Sequence, residues 1–386
     1  MKNPAHISDL SVNYETGQYD WKKDVIVNKT MFLKKIEETE KVNNIVQLKN
    51  AIFLLKNIIN YPRNDRDGLI NIDQNGDTIV LKKGALLDEL RQIEEAHTIE
   101  RSKYYIDRLK KGIVEIKTSK INDINLNRWK EYTDIITDSL WVLDRRDNSG
   151  AHLGSYWGNF IPQIPHQLML RYTKKNDWVL DPFVGSGTTL IECRRLVRNG
   201  IGIELNSEVA KSARSLINKE KNLQNVTTEV FTGDSSKIDI KNILEEFGIK
   251  QVQLIIMHPP YHDIIKFSSN KDDLSNAPTT ESFINMFGKI LDNTLPCLEK
   301  GRYLGIVIGD KYHKGTWIPL GFYVMNEVLK RNLSLKSIIV KNFEETRGKR
   351  SQKELWRYRA LVGGFYIFKH EYILLFKKEK DRSAIT

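Results

Sequence analysis

Cysteine is nearly absent: Cys193 and Cys297 are the two in 386 residues. Two thiols build neither a disulfide framework nor a cysteine-rich zinc site. Long apolar runs are missing too. No stretch of about 18 consecutive apolar residues occurs, and the opening MKNPAHISDL has no signal-peptide pattern. The expectation is a cytoplasmic protein with no membrane partner. Internal repeats and low-complexity tracts are also lacking. Charge is present but unbalanced: 60 Lys and Arg against 49 Asp and Glu leave a net +11, which favours a polyanionic partner such as nucleic acid. A hydrophobic content of 40% and an aromatic content of 9% are ample for a packed core. The length suits two domains, or one large domain with an extension.

Two regions are expected. Residues 1–140 read as mostly helical, because NIVQLKNAIFLLKNIINY and ALLDELRQIEEAHTIERSKYYIDRLKKGIVEI repeat apolar residues at spacings of three and four. NIDQNGDTIVLKK between them suggests a hairpin. The basic residues Arg101, Lys103, Arg108, Lys110 and Lys111 mark a solvated helix face. A glycine- and proline-rich connector, LDRRDNSGAHLGSYWGNFIPQIPHQ, follows. Within 141–386, short apolar runs then alternate with helical stretches: DWVLD, a helix over Thr188–Asn199, GIGIEL, another helix, VTTEVFTGD, a helix, VQLIIMHPPY. The alternation predicts an α/β fold, a doubly wound Rossmann-like parallel sheet, and FYIFKHEYILLFKK adds a C-terminal antiparallel hairpin.

Ligands of such sheets sit beyond the carboxyl ends of the strands, where strand order reverses. VLDPFVGSGTT places two glycines there, and Thr188 opens the helix behind them. No Gly-Lys-Ser/Thr follows, so this is no phosphate-cradling P-loop. Glu204 lies 17 residues after Gly187, at the next strand end, where a carboxylate can accept both hydroxyls of a ribose. Asp234 ends the third strand and suits an adenine amino group. Three consecutive strand ends of this kind describe an adenosine site. The fourth strand ends in His258-Pro259-Pro260-Tyr261. Prolines cannot donate, yet their carbonyls accept. Beside an aromatic ring, such acceptors suit a planar ring with an exocyclic amine.

DPFVGSGTT followed in the same chain by HPPY resembles the S-adenosylmethionine-dependent DNA amino-methyltransferases, which act on adenine N6 or cytosine N4. The resemblance covers roughly residues 150–375. It implies a methyltransferase catalytic domain over 141–386, with S-adenosylmethionine as cofactor. GNFIPQIPHQLMLRYT is similar to the family's other cofactor segment, which puts Phe160, Ile161 and Pro162 beside the cofactor. Asp181, Pro182, Phe183, Gly185, Ser186, Gly187 and Thr188 would line it, Glu204 with Leu205 would hold the ribose, and Asp234 would contact adenine. His258, Pro259, Pro260 and Tyr261 would hold the target base, flipped from the duplex. The family has Asp, Asn or Ser where His258 stands. A neutral imidazole can accept from the amine and an imidazolium cannot, so activity is expected to fall at acidic pH if that contact matters. The alternative is that Pro259's carbonyl carries the contact and His258 points elsewhere.

Adenine N6 is expected ahead of cytosine N4, as the commoner target of the family. Cytosine C5 chemistry needs a cysteine nucleophile, and neither cysteine lies in a motif. Asp234 and His258 leave only 23 residues between them, too few for a target-recognition region. Target reading therefore falls to the N-terminal region, to the stretch after Tyr261, or to loops near GDKYHKGTW and EETRGKRSQKELWRYR. In the last, Arg347, Lys349, Arg350, Lys353 and Arg357, with aromatic residues interleaved, suit contact with DNA. The implied partners are double-stranded DNA and, in a restriction–modification system, a restriction endonuclease or specificity partner. The N-terminal helices offer a homodimer surface. Two other readings stay open: an RNA amino-methyltransferase acting on guanine N2 of tRNA, and a non-catalytic DNA-binding subunit that keeps the fold.

Overall fold

Five of the six residues of VQLIIM, Val252–Met257, are buried. A strand apolar on both faces belongs inside a parallel sheet covered on both sides. The computed structural model describes residues 23–70, 77–143, 145–152, 158–343 and 353–380. The described residues divide into two compact units, one within residues 23–120 and 124–134, the other within 121–123 and 135–380. Among the described residues no helix is long and apolar enough to cross a membrane.

The first unit runs β1 (Asp24–Asn28), α1 (Lys29–Glu40), α2 (Ile45–Asn60), β2 (Thr78–Lys82), α3 (Lys83–Glu95) and α4 (Ile99–Val114). Side-chain caps start three of the helices: Asn28, Asn44 and Thr98 accept from backbone N–H groups of the first turns of α1, α2 and α4. Phe32, Ile36, Leu48, Ile52, Leu90 and Ile106 form the core. The first half of the expected hairpin, residues 71–76, lies outside the described residues, and its second half is the strand β2. It pairs antiparallel with β1, Val25 opposite Leu81 and Val27 opposite Ile79. The basic residues of α4 are tied down: Arg108, Lys110 and Lys111 pair with Glu89, Glu40 and Asp107.

The second unit continues with β3 (Leu140–Trp141), α5 (Gln163–Tyr172), β4 (Trp178–Asp181), α6 (Thr188–Leu196), β5 (Asn199–Glu204), α7 (Ser207–Lys219), β6 (Thr228–Thr232) and α8 (Ile240–Glu246). Then come β7 (Val252–Met257), α9 (Thr280–Thr294), β8 (Leu298–Ile308), β9 (Lys311–His313), β10 (Thr316–Ile318), α10 (Leu320–Leu329), β11 (Leu333–Asn342), α11 (Lys353–Gly363) and β12 (His370–Lys378). Among the described residues, eight strands form one sheet in the order β3-β11-β12-β8-β7-β4-β5-β6. From β6 to β8 neighbours run parallel. β12 lies antiparallel between β8 and β11. This is the doubly wound α/β sheet expected, with its antiparallel C-terminal pair. That pair is joined through α11 rather than by a tight turn.

Alternation along β5 separates the two faces. Ile201 and Ile203 belong to a core with Leu244, Phe283, Phe287 and Val324 of α8, α9 and α10. Gly200 and Gly202 turn toward α6 and its loop, where an added Cβ would come within 2.9 Å of Cys193 Sγ and 2.6 Å of Val184. Two boundaries differ from the expectation. α6 stops at Leu196, because Val197 turns left-handed at φ 62 and its N–H closes on Arg194 and Cys193. The connector ends earlier than its prolines suggest: α5 begins at Gln163, and Pro165 sits in its first turn, where a missing N–H costs nothing.

Candidate active site

β4 has β5 on one side and β7 on the other. The chain leaves β4 toward β5 and returns to β7, so the strand order reverses between β4 and β7. A cavity of about 700 Å³ opens here, in the range of small-molecule sites. Its wall includes the ends of β4, β5, β6 and β7 and a connector.

The loop after β4 supplies Pro182, Phe183, Gly185 and Ser186 to the wall. Gly185 at φ 51 and Gly187 at φ 90 take backbone conformations that L side chains avoid. At Gly187 space is closed as well, since a Cβ would meet Ile217 at 2.9 Å. Asp181 is fully buried behind this loop, off the wall, where it accepts from Phe183 N at 2.9 Å and Thr189 Oγ1 at 2.5 Å. Burial pushes its carboxyl up to about 7, against those two hydrogen bonds, and the nearby Glu204 charge adds to the rise. Gly187, Thr188 and Pro162 also stand behind the wall: Thr188 Oγ1 donates to Asn159 Oδ1 at 2.7 Å, and Pro162 caps α5.

Glu204 and Leu205, at the end of β5, face the cavity. One Glu204 oxygen accepts from Gly185 N at 3.1 Å and the other from Asn206 N at 3.0 Å, so the carboxylate ties the glycine loop to its neighbouring strand. Burial raises its pKa, against the hydrogen bonds from Asn206 and Gly185. Asp234, after β6, behaves oppositely. Burial would raise its pKa, but hydrogen bonds from Ser236 and the Lys237 ammonium hold it below the usual range. Both acids line the cavity.

The connector brings Asn159, Phe160 and Ile161 to the wall. Arg146 holds it by donating to the Phe160 carbonyl at 2.8 Å. Below lies Glu192 of α6, fully buried, meeting His152 Nε2 at 2.6 Å, His166 Nδ1 at 2.7 Å and Arg195 Nη1 at 3.0 Å. Burial opposes its charge, but the two imidazoles and their hydrogen bonds hold the carboxyl far below the usual range.

His258, Pro259, Pro260 and Tyr261 leave β7 into the same cavity. The next residue, His262, turns left-handed at φ 55 and is buried. Its Nε2 lies 2.8 Å from the Ala277 carbonyl and must donate, so Nδ1 accepts from the Lys311 ammonium at 2.9 Å, and Lys311 also pairs with Asp263. The loop is thereby rigid. Tyr261's hydroxyl lies 3.1 Å from His258 Nε2 and donates to Glu371 Oε2 at 2.9 Å, while Glu371 Oε1 accepts from Lys341 Nζ at 2.9 Å. Phe160 packs on the His258 ring at 4.9 Å. Burial pushes His258 down to about 4, with Glu371 opposing and Lys341 adding to the fall.

The structure thus gathers Phe160, Ile161, Pro182, Phe183, Gly185, Ser186, Glu204, Leu205, Asp234 and the His258–Tyr261 loop around one space. Arg347, Lys349 and Arg350 lie outside the described residues. Lys353 begins α11, and Arg357 is exposed on it. The sequence reading missed Gly309, Asp310, Lys341 and Glu371, all on the wall. A signal existed for Glu371: it is an acid at the start of the apolar strand EYILLF. Neither Cys193 nor Cys297 lines the cavity, and both are buried.

Residues 28–215 match the family described as DNA methylase (N6_N4_Mtase), a span that includes the glycine loop and stops short of the Pro-Pro loop. Among curated proteins, the Type II methyltransferase M2.LlaDCHI of Lactococcus lactis subsp. cremoris is 48% identical over 93 residues, 24% of this chain and 33% of that one. The Type II methyltransferase M2.DpnII of Streptococcus pneumoniae is 46% identical over 99 residues, 25% and 34% of the two chains. A tRNA (guanine(10)-N2)-dimethyltransferase of Methanocaldococcus jannaschii is 30% identical over 164 residues, 39% and 45%. The matched segments span a third or less of the length of the first of these relatives.

Proposed function

We propose that this chain moves a methyl group from S-adenosylmethionine to the exocyclic amine of a base in double-stranded DNA, a reading supported by the match of residues 28–215 to the DNA methylase family and by the Type II methyltransferase relatives. The observation that carries the reading is one cavity shared by the glycine loop, two acidic strand ends and the Pro-Pro loop, at the reversal of the sheet.

The residues present fit the cofactor. Left-handed glycines let a ligand approach the backbone, Glu204 and Asp234 offer acceptors for ribose hydroxyls and an adenine amine, and Phe183 and Leu205 give apolar cover. Phe160 and Ile161 close the side beside the connector. Bound there, S-adenosylmethionine supplies an electrophilic methyl group on a positively charged sulfur.

An exocyclic amine is a poor nucleophile because its lone pair is delocalised into the ring. The Pro259 carbonyl and His258 accept its hydrogens, which draws the nitrogen toward a tetrahedral geometry and localises that pair. Tyr261 stacks on the flipped base. The rigid loop has its acceptors in place before the base arrives, so little reorganisation remains at the reaction. The proton left in excess on the nitrogen departs past these acceptors to water.

Adenine N6 is our first choice of target and cytosine N4 the second. The first unit reads the target or forms a homodimer. Arg357 and Lys353, with Arg347, Lys349 and Arg350, contact the DNA backbone. A restriction endonuclease or specificity partner completes the system. The tRNA-modifying relative, which aligns over more of this chain than either Type II methyltransferase, supports an RNA amino-methyltransferase as the second reading.

The test is transfer from labelled S-adenosylmethionine to unmethylated bacterial DNA and to total RNA in parallel, with modified nucleosides identified by mass. N6-methyladenine or N4-methylcytosine in DNA supports the proposal and names the base. Label in RNA alone replaces it with the second reading.

A further inference from the structure

A histidine in the acceptor position raises a question that Asp, Asn or Ser would not. Neutral imidazole accepts through one nitrogen only, and the other carries the hydrogen. Which nitrogen is free depends on what the other one touches. His258 Nε2 touches Tyr261 Oη, at 3.1 Å.

A phenol has a single hydrogen. Tyr261 gives its own to Glu371 Oε2, 2.9 Å away, and a carboxylate can only accept. The hydrogen between His258 and Tyr261 must therefore come from the imidazole. Glu371 stays ionised although burial opposes its charge, because the Lys341 ammonium sits 2.9 Å from its other oxygen. Lys341 and Glu371 are direct cross-strand partners in the register of β11 and β12, so the pair is fixed by the sheet itself. Gly309, at the end of β8, leaves room for the Tyr261 ring beside it.

We propose that Lys341, Glu371 and Tyr261 form a positioning relay that holds His258 as the Nε2–H tautomer, so that Nδ1 presents the lone pair accepting from the target amine. The proposal rests on the methyltransferase reading given above. None of the three needs to touch the amine, and Tyr261 has its stacking role in addition. The relay does for the imidazole what two oxygen lone pairs would do unaided: it guarantees an acceptor. The charged groups facing the ring are Glu371 and Lys341 from β12 and β11, while Phe160 covers it from the connector.

The experiment reads the tautomer directly. In ¹⁵N-histidine-labelled protein, the bare and the protonated ring nitrogens resonate far apart, and a His258→Gln variant assigns the signals by their loss. The wild type is expected to show Nε2–H. Glu371→Gln is nearly isosteric, and Lys341 will claim its carbonyl oxygen. The amide N–H then faces Tyr261, whose hydroxyl turns to donate to Nε2, and the hydrogen moves to Nδ1. Methyl transfer should lose kcat by about a hundredfold, with KM for DNA and cofactor affinity changed by less than about twofold. Tyr261→Phe keeps the ring, removes the oxygen, and should give a mixture of tautomers.

An Nδ1–H tautomer in the wild type overturns the proposal. So does Glu371→Gln that loses kcat while His258 remains Nε2–H, because Glu371 would then be merely structural. A wild type that is Nε2–H yet methylates no nucleic acid overturns the functional reading instead, and with it the role of Nδ1, while leaving the relay's hold on the tautomer intact.

Discussion

Gly309 lies against the ring of Tyr261: a Cβ built on it would come within 2.8 Å of Cε2 and 3.1 Å of Cδ2. The ring cannot simply swing aside, because its hydroxyl is held at Glu371 and its backbone by the buried turn at His262. Gly309→Ala should therefore displace the aromatic plate rather than the methyl group. The expected cost is about 1–3 kcal/mol of stability. A fall of tenfold or more in kcat, about 1.4 kcal/mol of barrier, should accompany it, read from thermal melts and single-turnover transfer. Unchanged turnover would show that Tyr261's placement is not limiting.

A second prediction concerns pH. The acceptor form of His258 is the neutral one, and burial places its pKa at about 4. The neutral form is then complete above about pH 5 and lost as pH falls through 4. The acid limb of kcat/KM due to His258 should lie there, well below the 6.5 of an unperturbed imidazole. A limb centred at 6.5 would mean the ring is solvated during turnover.

The same shift affects stability. Between pH 6.5 and 4 the unfolded imidazole binds a proton that the folded one does not. Its contribution is therefore fully present above 6.5 and lost as pH falls toward 4, by on the order of 3 kcal/mol. Asp181 works the other way, since its raised pKa of about 7 makes the folded state bind the extra proton. Urea titrations of wild type against His258→Gln, at pH 4.5 and 7, isolate the histidine. Identical differences at both pH values would refute the depressed pKa.

Binding and chemistry should separate by residue. Glu204→Ala removes a charged acceptor and unties Gly185, so cofactor affinity should weaken by about 1.5–3 kcal/mol in calorimetry. Tyr261→Ala and Pro260→Ala should abolish transfer and leave cofactor affinity nearly intact. Wild-type affinity in Glu204→Ala would remove that residue from the ribose role, and wild-type transfer in Tyr261→Ala would refute the catalytic assignment.

Glu192→Leu leaves two imidazoles and the Arg195 guanidinium without their buried anion. Losing one partner of a buried charged cluster costs about 3–5 kcal/mol. The connector bearing Phe160 should loosen, so KM for the cofactor should rise along with the drop in Tm. A loss of stability with unchanged KM would mean the connector is held by Arg146 alone.

The sheet was legible where its parallel strands are short apolar runs ending in an acid, as in WVLD before the glycine loop and GIGIE before Leu205. The cavity's cofactor side was legible for the same reason, since Glu204 and Asp234 stand at strand ends that local pattern locates. Partners distant in sequence were not. β2 finds β1 across two intervening helices, and Glu371 meets Tyr261 across 110 residues. Only the insertion of β12 beside β8 brings that carboxylate to the Pro-Pro loop, and no periodicity encodes it. Val197 was equally hidden, because a β-branched residue is a poor candidate for a left-handed helix stop.

The position of β12 sets an order of events during synthesis. When β8 and β11 have left the ribosome, the strand that belongs between them has not been made. Such a nascent chain already possesses the glycine loop, Glu204, Asp234 and the Pro-Pro loop, yet its sheet is split and Tyr261 has no carboxylate to answer it. Two strand edges stay open until His370–Lys378 arrives, which is the interval when a chaperone would be needed most. The strand made after β11 both fills the gap between β8 and β11 and delivers Glu371, so one segment supplies the missing strand and the proposed relay together.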